Sequence, residues 1–156
     1  MTYASLFFLA YQLSNGWVGY DRMAGAVHDV VEVVDEEPSL FAGDDGKAKT
    51  AALLITISFH ESGWKTDALG DGGKSCGVMQ TQQPQKWVAG ATCDKVRADR
   101  KLGYKVGLAV LRGAKEKCGA NTTAKVWLGM YASGMCGMAQ VAAKKRCAPA
   151  GVCDSI

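Results

Sequence analysis

The chain has 156 residues, of which 48% are hydrophobic and 21% are charged, and its formal net charge is +3. This length suits one domain, residues 1–156, and the composition is that of a soluble globular protein, which excludes a disordered or fibrous chain. The small positive charge is dispersed, apart from a modest cluster at 144–146, so we expect no nucleic-acid partner.

The N-terminal segment MTYASLFFLAYQL is apolar, but it lacks the basic residues and the cleavage pattern of a signal peptide. We therefore expect this segment to be part of the fold, with no recognisable signal peptide. Since no stretch approaches the roughly 18 consecutive apolar residues of a membrane span, we also expect no stable membrane insertion.

The spacing of apolar residues predicts several helices in chain order. Valines predict a helix over 23–34, and the most regular pattern, over 47–62, predicts a central helix that ends at Gly63. The glycine-rich segment 64–84 indicates an irregular lobe with room for a short hairpin. Further helices are predicted over 98–117, from Ala124 after a cap at 121–123, and over 138–146. The expected fold class is therefore mainly α, a helical domain with a small glycine-rich lobe after the central helix.

Six cysteines occur, at positions 76, 93, 118, 136, 147 and 153. No pair has the C-x-x-C spacing of a zinc or redox site, so we expect no metal. An even number in a small chain indicates a disulfide framework whose connectivity the spacing leaves open, and bridges would imply an oxidising compartment. Buried free thiols are the alternative.

Residues 60–80, HESGWKTDALGDGGKSCGVMQ, carry the candidate chemistry. Glu61 lies on the same helix face as Leu54 and Ile57, the face that must be buried. Burial and the negative end of the helix dipole both disfavour a charged carboxylate, so we expect Glu61 to hold a proton near neutral pH, as a general acid must. The alternative is a glutamate that tilts into solvent at a frayed helix end.

Two other motifs in this stretch fail at a required position. The pair HE at 60–61 begins a zinc-binding H-E-x-x-H motif, but Trp64 replaces the second histidine. The group GKS at 73–75 ends a phosphate-binding loop, but Ala68 replaces the first glycine. We therefore expect no cofactor.

The residues around this acid resemble those of a known family. The groups ESGW at 61–64, DA at 67–68 and GVMQ at 77–80 match, in order, the E-S-G-F/W, N/D-A and G-L/V-M-Q motifs of the soluble lytic transglycosylases and goose-type lysozymes. A weaker match to A-Y-N-A-G is MYASG at 130–134, and the resemblance extends over residues 48–134. It implies a lysozyme-like fold and, as substrate and partner, the glycan strands of peptidoglycan.

The resemblance also implies roles for the matching residues. Glu61 would be the catalytic acid and base. Ser62 and Gln80 would contact substrate or hold the acid, Met79 would line the groove, and Tyr131 would form a hydrogen bond near the glutamate. Structural alternatives are core positions for Met79 and Tyr131, and a hydrogen bond from Ser62 to backbone groups at the helix end.

The family mechanism with a single acid is transglycosylation. Glu61 protonates the oxygen between N-acetylmuramic acid and N-acetylglucosamine, then takes a proton from the muramoyl 6-hydroxyl to give a 1,6-anhydro product. A hydrolytic lysozyme would instead need a second carboxylate, for which Asp67 and Asp71 are the candidates. A non-catalytic peptidoglycan-binding protein or a virion structural protein is a third alternative.

Tryptophan and histidine side chains are further candidates for the functional site. Trp64, Trp87 and Trp127 could offer a sugar-stacking surface, although packing is the usual role of tryptophan. His60 is discounted as a partner of Glu61, because adjacent helical residues point roughly 100° apart.

An enzyme that cuts the cell wall must act in an extracytoplasmic compartment, such as the periplasm, the cell wall or a phage virion. Without a recognisable signal peptide, delivery by phage lysis or in a virion is one expectation, and other virion proteins would then be partners. An export route that the sequence does not reveal is the other.

Overall fold

The computed structural model describes residues 2–82 and 90–156. Within these ranges the chain forms seven α-helices, which are α1 (Tyr3–Ser14), α2 (Tyr20–Glu36), α3 (Gly46–Ser62), α4 (Cys93–Ala98), α5 (Arg100–Cys118), α6 (Ala124–Ser133) and α7 (Gln140–Cys147). Three short strands follow α3, namely β1 (Leu69–Gly70), β2 (Ser75–Cys76) and β3 (Thr81–Gln82). The predicted fold class, mainly helical with a small lobe after the central helix, is confirmed.

Helix α3 is the centre of the core. All its residues from Thr50 to Ser58 are buried, and the helix packs against α1, α2 and α7. A helix surrounded in this way is apolar on all sides, and the hydroxyls within it donate to carbonyls of the preceding turn. Gly63 ends the helix with a φ of 59°, and its N–H bonds to the Phe59 carbonyl at 2.9 Å. The predicted end of the central helix is confirmed.

The N-terminal segment packs on this core. Leu6 and Ala10 of α1 are buried, and α1 contacts both α2 and α3. The expectation that this segment belongs to the fold is confirmed. In the described part of the chain, none of the helices has both the length and the apolar character needed to cross a membrane.

The helix predicted over 98–117 is confirmed as α5, which begins two residues later, at Arg100. A short helix that was not predicted, α4, precedes it, and Asp99 separates the two in an extended conformation. The Asp99 side chain accepts a hydrogen bond from the Leu102 N–H at 3.0 Å and so caps α5. Apolar spacing did not reveal α4, because its six residues are too few for a periodic pattern.

The lobe is a three-stranded antiparallel sheet in the order β1-β2-β3. Leu69 pairs with Cys76, and Cys76 pairs with Thr81. A tight turn at 71–73 joins β1 to β2, with positive φ at all three residues. The predicted hairpin is confirmed over residues 69–76, whereas positions 83–84 of the predicted lobe lie outside the described residues.

All six cysteines are paired, as Cys76–Cys93, Cys118–Cys136 and Cys147–Cys153. The first bridge joins the lobe to α4, the second joins the end of α5 to the loop after α6, and the third closes the end of α7 onto the C-terminal tail. The disulfide framework is confirmed, and the alternative of free thiols is wrong. Bridges of this kind persist in oxidising surroundings.

Candidate active site

A cleft of about 780 Å³ lies between the end of α3, the lobe, and helices α5, α6 and α7. Its walls include five residues that are far apart in the sequence, Glu61, Asp71, Gln80, Tyr131 and Arg146. The fold therefore brings four of the predicted site residues together and adds Arg146, which the sequence did not predict.

Glu61 is held by a guanidinium group. Its side chain is 17% exposed, and its Oε1 atom accepts hydrogen bonds from Arg146 Nε at 2.8 Å and Arg146 Nη2 at 2.5 Å. The alternative of a glutamate that tilts into solvent is thus wrong.

Arg146 could not be found from local patterns. It lies 85 positions from Glu61 and belongs to the KKR cluster at 144–146, which by itself indicates only a basic helix end. Its Nη1 atom also donates to the Ala142 carbonyl of the same helix at 3.0 Å.

Met79 has a different role from the one predicted. Its side chain is fully buried, as is that of Val78, so Met79 does not line the groove. A Cβ atom at Gly107 of α5 would lie 2.6 Å from Met79 Cγ, and one at Gly103 would lie 3.1 Å from a Val78 methyl carbon. Two glycines one turn apart in α5 therefore create the space in which Val78 and Met79 anchor the lobe. The core alternative for Met79 is confirmed.

Gln80 follows this anchor and lines the cleft. Its backbone has a positive φ of 47°, and its Nε2 atom donates to the Gly77 carbonyl at 2.9 Å. Its Oε1 atom lies so close to Gly70 that a Cβ there would be only 2.3 Å away. The amide is therefore fixed by the lobe before any ligand binds.

Tyr131 reaches the cleft from α6 and lies near the glutamate, but its hydroxyl donates to the Met79 carbonyl at 2.5 Å. Burial, aided by the negative charge of Glu61, raises the pKa of the Tyr131 phenol far above its usual range. The phenol therefore remains a proton donor, and the bond links α6 to the lobe.

Ser62 is not part of the cleft wall. Its Oγ atom lies 2.8 Å from the Val78 carbonyl and 3.1 Å from the Ser58 carbonyl. Both are acceptors, so the hydroxyl satisfies backbone groups and ties the end of α3 to the lobe. The structural alternative for Ser62 is confirmed.

The two candidates for a second carboxylate differ in position. Asp71 lines the cleft at the tight turn, has a φ of 51°, and accepts a hydrogen bond from the Ser75 hydroxyl. Asp67 is exposed and outside the cleft, and its carbonyl accepts a bond from Arg97 Nε at 3.1 Å. Of the two, only Asp71 shares the cleft with Glu61.

The suggested sugar-stacking tryptophans are buried. Trp64 and Trp127 are both fully inaccessible, and Trp64 Nε1 donates to the Ile55 carbonyl at 3.0 Å. The stacking role is wrong for these two residues, and Trp87 lies outside the described residues. His60 lies outside the cleft, as predicted.

One group of potential metal ligands, His28, Asp29 and Glu32, occurs among the described residues. It lies on α2 and does not line the cleft. Its acids already form ion pairs, Asp29 with Arg100 at 2.7 Å and Glu32 with Lys101 at 3.0 Å. The cluster therefore serves to attach α2 to α5.

In comparisons with known proteins, no family model, no curated protein and no solved structure matched this chain. The resemblance to the transglycosylase family therefore stands on its motifs alone.

Proposed function

We propose that this protein is a peptidoglycan-degrading muramidase, and specifically a lytic transglycosylase in which Glu61 is the general acid and base. The observation that carries the proposal is the position of Glu61. It lies in the last turn of the buried helix α3, faces a cleft, and is adjacent to the folded-back lobe that carries Gln80.

The cleft suits a polar polymer. Its size is within the range of ligand sites, and its lining is rich in hydroxyl and amide groups that can bond to sugar hydroxyls, among them Ser75, Gln80, Gln82 and Ser133. Several of these groups are already held by the protein, as Gln80 is by Gly77, so they are ordered before a glycan strand enters.

The proposed reaction uses one carboxyl group twice. Glu61 gives its proton to the oxygen that links N-acetylmuramic acid to N-acetylglucosamine, and the bond from that oxygen to the muramoyl C1 breaks. The substrate's own acetamide stabilises the cationic carbon. Glu61, now ionised, accepts the proton of the muramoyl 6-hydroxyl while the oxygen of that hydroxyl bonds to C1. This step closes the 1,6-anhydro ring without consuming water.

The test is digestion of purified peptidoglycan followed by mass spectrometry of the released fragments. Anhydro ends are expected for the transglycosylase, and reducing ends would show a hydrolase. If no fragments are released, the protein has a binding or structural role instead.

Glu61→Gln is expected to lower the cleavage rate by about 10²- to 10⁴-fold. The fold should persist, because the glutamine carbonyl can still accept the hydrogen bonds of Arg146. Glu116→Gln is the matched control, since Glu116 is exposed and outside the cleft. A Glu61→Gln variant with full activity would remove Glu61 from the mechanism.

A hydrolytic lysozyme is the second candidate, and the position of Asp71 in the cleft favours it. Such an enzyme would use Asp71 to activate water or to attack the sugar. Asp71→Asn should then abolish the release of reducing ends, whereas a transglycosylase should still form anhydro ends in that variant. Asp67→Asn, outside the cleft, is the control.

The three disulfides support action in an oxidising, extracytoplasmic setting such as the periplasm, the cell wall or a phage particle. In a phage particle the partners would include other virion proteins. The glycan strands of peptidoglycan are the proposed substrate in each case.

A further inference from the structure

Arg146 forms hydrogen bonds to Glu61, the proposed acid, but has no part in the reaction proposed for Glu61. The side chains of Arg146 and Glu61 are only 15% and 17% exposed, so water screens their interaction less than it screens a surface ion pair. The contact joins α7 to the end of α3 at the wall of the cleft.

The geometry of this contact is asymmetric. Arginine commonly binds a carboxylate as a fork, with one N–H group on each oxygen. Here Nε and Nη2 of Arg146 both end on the same oxygen of Glu61, Oε1, at 2.8 and 2.5 Å. Within the described ranges, no donor is found on Oε2. One oxygen is thus held by the protein, and the other remains for a ligand.

Arg146 is itself fixed by its surroundings. Its Nη1 atom donates to the Ala142 carbonyl at 3.0 Å. The next residue, Cys147, is fully buried and bonded to Cys153, and α7 packs against α3 and α6. The guanidinium is therefore in position before a substrate arrives, which is the condition for effective electrostatic stabilisation.

We propose that Arg146 is a positioning residue for Glu61, holding Oε1 so that Oε2 exchanges the proton with the substrate. This role rests on the proposed function. As the proton moves from Oε2 to the glycosidic oxygen and the bond to C1 breaks, negative charge develops on the carboxylate. Arg146 interacts more strongly with the carboxylate than with the acid, so it stabilises this step over the resting protonated state.

Three variants test the proposal, Arg146→Gln, Arg146→Lys and, as a control, Lys144→Gln. Lys144 lies in the same helix, is exposed and does not line the cleft. Two quantities are measured for each variant. One is the rate of peptidoglycan cleavage, and the other, independent of activity, is the NMR chemical shift of the Glu61 side-chain carboxyl carbon.

In Arg146→Gln we expect the cleavage rate to fall by roughly tenfold or more, because the acid is no longer held. The resonance of the Glu61 carboxyl carbon should also move, because its Oε1 atom loses two hydrogen bonds. The cleavage rate of Arg146→Lys should lie between those of the wild type and Arg146→Gln, since lysine keeps the charge but not the planar group. Lys144→Gln should match the wild type.

An unchanged Glu61 carboxyl resonance in Arg146→Gln would overturn the proposal whatever the activity. A cleavage rate equal to or above that of the wild type would also overturn it, and a higher rate would make Arg146 an inhibitory contact. If the wild type cleaves nothing, the proposed function fails and the positioning role of Arg146 in catalysis fails with it, while the chemical shift still reports whether the guanidinium holds Glu61. Circular dichroism checks the fold, and Arg146→Lys preserves the cation if Arg146→Gln does not fold.

Discussion

The two walls of the cleft are held in different ways. The wall that carries Glu61 and Gln80 depends on buried packing, because Val78 and Met79 insert beside the glycines of α5. The second wall, formed by α6 and α7, depends on the C-terminal tail. Its Ser155 and Cys153 carbonyls accept bonds from the first N–H groups of α6, and the bridge to Cys147 joins the tail to α7.

This difference shows that the two walls of one cleft can be stabilised differently. One wall consists of a nearly continuous segment of the chain, and the other depends on a disulfide bridge. The first wall is built from a nearly continuous segment, residues 61–82, in which Trp64, Val78 and Met79 are buried in the core. The second wall includes a short helix, α7, whose last residue is Cys147, and a bridge from Cys147 to Cys153, six positions further on, closes this end. Different changes should therefore weaken each wall.

Met79→Ala should have the largest effect on the packed wall. Removing a fully buried methionine side chain leaves a cavity beside Gly107, and we expect the free energy of unfolding to fall by about 2–5 kcal/mol. Urea denaturation with the disulfides intact measures this loss. The control is Met135→Ala, because Met135 is 56% exposed and should change stability by about 0.5 kcal/mol or less. Equal losses in both variants would contradict the buried anchor.

Replacing Cys147 and Cys153 together by alanine should weaken the second wall, with a smaller loss in the free energy of unfolding than Met79→Ala causes. A bridge that closes so short a loop contributes about 2 kcal/mol by restricting the unfolded chain. We also expect faster hydrogen exchange at the N–H groups of Ala124 and Lys125, which bond to the tail. Exchange in the buried part of α3 should rise only as far as the loss of global stability requires. Unchanged exchange at Ala124 and Lys125 would show that the tail caps α6 without the bridge.

The smallest effect is expected outside both walls, at Glu36 on the surface between α2 and α5. Lys101 and Lys105 lower the pKa of Glu36 from 4.5 to about 2. Because the folded pKa is depressed, the stabilisation from this carboxylate is fully present above pH 4.5 and is lost as the pH falls from 4.5 through 2.

Glu36→Gln should therefore have a slightly lower Tm than the wild type at pH 6, and most of the difference should be lost by pH 2. Added salt should also reduce the difference at pH 6, since the group is exposed. Neither cleft wall should change its hydrogen exchange beyond the small global effect. A Tm difference that persists at pH 2 would mean that Glu36 acts through packing and not through charge.

Much of the fold could be predicted from the sequence where periodic patterns are long. The central helix was predicted over 47–62 and is found at Gly46–Ser62, and the helix predicted from Ala124 begins there, although the Thr123 side chain before it forms no capping hydrogen bond. The short helix α4 was missed, because one and a half turns contain no repeating pattern. For Met79 and Ser62 the sequence left a site role and a structural role both open, since the resemblance identifies a motif but not which way each side chain points.

The buried helix, its glycine stop, the hairpin lobe and the placement of Glu61 at the helix end could all be inferred from local patterns, because they depend on residues that are neighbours along the chain. The disulfide pairing, the burial of Trp64 and Trp127, and the position of Asp71 rather than Asp67 in the cleft emerge from the packing of the whole chain. The contact between Glu61 and Arg146 emerges in the same way. Such contacts join groups far apart in sequence, and their formation depends on how whole helices pack, which no local spacing encodes.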